Sequence, residues 1–128
     1  MNDPNLFKLT ENDKIQYRNI IKKIDINLEG VILKFIRPKV EIMISNGKLN
    51  SIESELIKKI EELLLILDEY PDLKEEELKK ILFAISYFCD QNDEIPDAIP
   101  DYGYLDDLAV VHWIVQEVKI SISNFKSR

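Results

Sequence analysis

A chain of 128 residues, 45% of them hydrophobic, is long enough to bury one core and short for two ordinary domains. Its single cysteine excludes an internal disulfide framework, and no uncharged run approaches the ~20 residues a membrane-spanning helix needs. A net charge of −7 argues against nucleic acid and anionic lipid as partners.

The first nine residues read as a lead-in. MNDPNLFKLTEND has no basic n-region and no apolar h-region, so it does not read as a secretory signal. Together with the lone Cys89, that points to the reducing cytoplasm. Thr10, with Asp13 three residues on, is a helix start. Ile15, Ile20 and Ile24 then recur at helical spacing, which predicts a first helix over about 11–26.

Leu28, Val31/Ile32, Phe35/Ile36 and Val40/Met43 read as a single helical stripe. Pro38 interrupts it, and Val40, Ile42 and Ile44 alternate as a strand would. A second helix bent or broken near Pro38 is the preferred reading, with a strand over 40–44 as the alternative. Asn46-Gly47 ends the element.

Asn50 and Glu53 form a capping-box start for a third helix, with Ile52, Leu56, Ile60, Leu63/Leu64 and Leu67 as its apolar face. Pro71 stops it. Asp72 with Glu75 is expected to start a fourth helix, whose apolar face is Leu78, Ile81/Leu82, Ile85 and Phe88. A fifth begins near Tyr104 or Leu105 and presents Leu108, Val111, Val115 and Val118. The expected fold is all-α: one domain over 1–128, a bundle of about five helices, with an ordered acidic Pro/Gly loop between the last two.

The acidity is confined to one third of the chain. Residues 81–118 carry eight acids and no Lys or Arg, whereas the remainder holds all 17 bases against 16 acids. Seven of the eight acids lie in YFCDQNDEIPDAIPDYGYLDD: Asp90, Asp93, Glu94, Asp97, Asp101, Asp106 and Asp107. Asp93 is placed to cap a short helical turn through Pro96. Ile95 and Ile99 are expected to pin the loop to the core, while Pro96 and Pro100 fix its backbone. Gly103 suits a backbone conformation closed to other residues. Asp106 and Asp107 fall in the first turn of the fifth helix, where negative charge is favoured. Adjacent helical residues point about 100° apart, so one can turn inward while the other faces outward.

Tyr87, Phe88, Asp93, Ile95, Pro96, Asp97, Pro100, Gly103, Asp106 and Asp107 stand in the spacing of a Y-F-x-x-P-x-D-x-I-P-D-x-x-P-x-x-G-x-x-D-D pattern. The chain therefore resembles the YkvA-like family, a bacterial domain of unknown function, over about residues 78–118. Gln91 stands where that pattern has a proline, and Glu94 where it has an apolar residue, so both departures make the loop more polar. The resemblance implies a fold but supplies no activity.

No Gly-rich phosphate loop, zinc spacing or Ser/His/Asp constellation is present. His112 follows Asp107 by five residues and Asp106 by six, roughly 140° and 240° around the helix, so it shares a face with neither. It reads as a core or interface residue, Trp113 as a core anchor and Cys89 as an inert small apolar side chain. Lys22, Lys23, Lys58, Lys59, Lys79 and Lys80 read as solvated helix faces.

These features point to a non-enzymatic interaction module whose acidic loop docks a basic protein, as an inhibitor, immunity protein, antitoxin or adaptor would. Asp90, Glu94 and Asp101 are the expected contacts. The alternative is a divalent-metal-binding or metal-dependent domain in which Asp93, Asp97, Asp106 and Asp107 supply oxygen ligands. No cofactor is required by the first reading, and a weak Mg²⁺ or Ca²⁺ site stays open.

Overall fold

The computed structural model describes residues 9–47, 49–89 and 105–126. Five α-helices account for most of them, and no strand occurs among the described residues. They are α1 (Glu11–Lys22), α2 (Glu29–Ser45), α3 (Ser51–Glu69), α4 (Glu75–Cys89) and α5 (Leu105–Lys126). The all-α expectation holds. The acidic loop expected between the last two helices lies outside the described residues.

Local chemistry sets most of the ends. Thr10 caps α1 reciprocally with Asp13: the Asp13 amide donates to Thr10 Oγ1 at 3.0 Å, and the Thr10 amide to Asp13 Oδ2 at 3.1 Å. Asn50 and Glu53 repeat the arrangement at α3, at 2.8 and 3.1 Å. Gly47 has φ +66°, the left-handed conformation that terminates α2 without a Cβ penalty.

Two boundaries differ from expectation. α1 ends at Lys22 instead of near residue 26, because the Asp25 carboxylate accepts the Asn27 amide at 3.0 Å and caps a separate 3-10 turn, Ile26–Leu28. Asp72 does not start α4. The Leu73 amide donates to the Tyr70 carbonyl at 3.1 Å, so Pro71 and Asp72 form the middle of a turn. The helix begins after Lys74, whose carbonyl accepts from Leu78 at 3.0 Å.

α2 runs through Pro38, and the strand alternative is excluded. Proline removes the donor for the Lys34 carbonyl, a loss on the order of 3 kcal/mol in a helix interior. Ile36, Val40 and Met43, at spacings of four and three, bury one face of the helix and offset it. The apparent alternation dissolves: Val40 is buried, but Ile42 and Ile44 are 62% and 49% exposed.

α4 is the central helix. It packs most extensively on α5 and also touches α1, α2 and α3, and Ile81, Leu82, Ala84, Ile85 and Phe88 are fully buried on it. Leu56, Ile60 and Leu63 of α3 and Val110, Val111 and Ile114 of α5 complete the core. α2 lies at the edge, packed among the α-helices chiefly against α4. No described helix is long and apolar enough to cross a membrane.

Candidate functional site

The acidic stretch joins the end of α4 to the start of α5, and those two ends are its described base. Phe88 lies in the last turn of α4 with no exposed surface. Lys39 of α2 closes that end. Its Nζ donates to the Phe88 carbonyl at 2.6 Å and sits 4.4 Å from the centre of the Phe88 ring. A cation on the last carbonyls of a helix meets both a free acceptor and the negative pole of the dipole. Cys89 beside it is half-buried. Burial pushes its thiol pKa up, against the smaller opposing pull of Lys39, so it is a weak nucleophile.

On the other side, the first turn of α5 holds Asp107, which is completely buried. Its side chain therefore turns inward. A buried carboxylate is tolerated only where hydrogen bonds and a helix N-terminus compensate its desolvation. Of Asp106 only the backbone is described. Asp90, Asp93, Glu94, Asp97 and Asp101 lie outside the described residues, as do Ile95, Pro96, Ile99, Pro100 and Gly103.

Tyr87 belongs to an aromatic cluster beneath this base. Tyr17 of α1 lies 5.4 Å from Phe83, 5.9 Å from Tyr87 and 6.3 Å from Trp113, centre to centre. Trp113 is 8% exposed, in keeping with a core anchor, and Arg18 lies 5.4 Å over its ring. Arg18 also bonds Glu117 at 3.1 Å, whose other oxygen is 3.4 Å from Lys80. Lys80 reaches the buried Glu77 at 3.5 Å. Lys79 donates to the Lys22 carbonyl at 3.0 Å, closing the end of α1. Lys79 and Lys80 are therefore half-buried ties between helices, not the solvated face expected of them. Lys59 is also half-buried, 3.7 Å from Glu55.

His112 is exposed on α5, so of the core and interface readings expected of it the core one does not hold. Its ring is 3.4 Å from the Gln116 side-chain nitrogen. Partial burial lowers its pKa, with Lys59 acting the same way and Glu55 and Glu62 opposing. Glu62 pairs with Lys119 at 2.8 Å, and that bond holds its carboxyl below the usual range. Among the described residues, no three His, Cys, Asp or Glu side chains come together as a metal set. An open depression of about 390 Å³ at the α2–α3 junction is lined by Met43, Asn46, Leu49 and Glu53. Its one carboxylate is already engaged as the α3 cap.

A family model described as a protein of unknown function (DUF1232) matches residues 78–113. The match runs from α4 through the acidic stretch into α5 and covers under a third of the chain. It supports an uncharacterised domain family over that region. No curated protein and no solved structure matches the chain.

Proposed function

We propose that this chain is a non-enzymatic interaction module of the YkvA-like kind, whose acidic stretch between α4 and α5 recognises a basic protein surface. One observation carries the reading: how the acids of 81–118 are distributed along the chain once the described ion pairs and burial are set aside. Of the eight acids in 81–118, Glu117 is paired with Arg18 and Lys80, and Asp107 is buried. The other six, Asp90, Asp93, Glu94, Asp97, Asp101 and Asp106, fall within 90–106, a stretch without a single Lys or Arg. A concentration of one sign of charge on a rigid helical base steers a cationic partner and repels phosphate backbones. Asp90, Glu94 and Asp101, outside the family pattern, are the assigned contacts. Cys89, the only cysteine, fits residence in the cytoplasm. An inhibitor, immunity protein, antitoxin or adaptor would use such a surface.

The test is association kinetics against the partner recovered by affinity capture. Neutralising Asp90, Glu94 and Asp101 together to Asn, Gln and Asn should leave the helical spectrum intact. It should slow association by about tenfold or more at low salt. Added salt should slow the unaltered protein in the same way. An association rate indifferent to both changes contradicts the reading.

A further inference from the structure

The edge helix α2 carries a second apolar face that the other described helices leave exposed. Leu28, immediately before it, and Val31, Phe35 and Ile42 on it are 47%, 51%, 66% and 62% exposed. With Pro38, also exposed, they recur at alternating spacings of three and four. Leu28, Phe35 and Ile42 thus occupy one heptad position and Val31 and Pro38 the other, the pattern of a helix-pairing seam. Its centre lies more than 90° around the helix from the buried face of Ile36, Val40 and Met43. On the outer flank of the seam stand Lys34 and Glu41, seven residues apart, both exposed. Neither enters an ion pair among the described residues. On the inner flank stands Lys39, engaged with Phe88.

We propose that this face docks α2 of a second copy of the chain, antiparallel, as a symmetric and transient dimer. Charge decides both the occupant and its direction. In an antiparallel pair the two seam positions face one another, so Phe35 meets the other copy's Pro38, and Ile42 its Val31. The outer flanks then also meet, and Lys34 of each copy faces Glu41 of the other, twice by symmetry. A parallel pair would set Lys34 against the other copy's Lys39, cation against cation. The seam is therefore self-complementary in one orientation only. A single helix face offers less than the ~800 Å² per partner of a stable interface, so the affinity belongs in the micromolar range or weaker. This inference is independent of the acidic stretch and stands or falls without it.

Sedimentation velocity of the full chain at physiological salt, from low micromolar to about 1 mM, should show a concentration-dependent dimer. Phe35→Glu, on an exposed position, should keep the melting temperature and weaken the dimer about a hundredfold. Ile42→Glu reads the same seam should Phe35→Glu fail to fold. Lys34→Glu alone and Glu41→Lys alone should each weaken self-association about tenfold, since each sets like charges opposite one another twice. Mixing these two variants should restore a dimer, because each then supplies the sign the other lacks. A monomer throughout the range, a dimer insensitive to Phe35→Glu and Ile42→Glu, or a mixture that recovers nothing overturns the proposal. So does a chain that stays monomeric and binds phospholipid vesicles through Phe35.

Discussion

Phe88→Ala should cost about 3–5 kcal/mol, the largest loss expected of any single truncation. The side chain is fully buried in the last turn of the helix that touches all four others. Its removal leaves a cavity there and takes away the ring 4.4 Å from Lys39. A domain of this size has roughly 5–15 kcal/mol in hand, so the variant would approach the edge of folding. Urea melts at constant slope measure the loss. Phe35→Ala is the control: the same residue type, 66% exposed on α2, should change stability by no more than about 0.5 kcal/mol. A loss below 1 kcal/mol for Phe88→Ala would mean that the end of α4 is not packed as described.

Asp107→Ala should cost about 2–4 kcal/mol. The carboxylate is wholly buried in the first turn of α5, where it answers the positive pole of the helix. Removing it strands whatever buried donors it satisfies, and that penalty exceeds the modest net worth of a surface cap. Asp107→Asn keeps the volume and one acceptor oxygen, so it should cost less. The comparison of urea midpoints separates charge from shape. An unchanged midpoint for Asp107→Ala would show that the buried carboxylate is retained for something other than stability.

Sequence legibility followed the range of the interactions. The start of α3 was readable because Asn50 and Glu53 lie three residues apart and the apolar face repeats without interruption. The end of α1 was not, because Asp25 competes locally with the helix for a backbone amide, and periodicity is blind to that. α2 misled more interestingly. Its apolar residues read as one stripe, but they form two: Ile36, Val40 and Met43 are buried, while Leu28, Val31 and Phe35 face outward. Only the packing of α4 against one side distinguishes them. Within the candidate site, the acidic stretch and the inward turn of one aspartate were visible in the residue pattern. That Asp107 is buried was not. Nor was the contact of Lys39 with Phe88, which joins residues 49 apart in sequence.

The interaction reading and the metal-dependent alternative make opposite demands on Asp93, Asp97, Asp106 and Asp107. In one they hold the fold, and in the other they supply the oxygen ligands that Mg²⁺ or Ca²⁺ prefers. Calorimetric titration of the purified chain with Mg²⁺, Ca²⁺ and Mn²⁺ separates the two without knowledge of the partner. The account predicts no binding at micromolar concentration, with any weaker heat falling as salt screens the acidic stretch. Micromolar affinity that is lost on Asp97→Asn would contradict it, and would make the aspartates between α4 and α5 a metal centre.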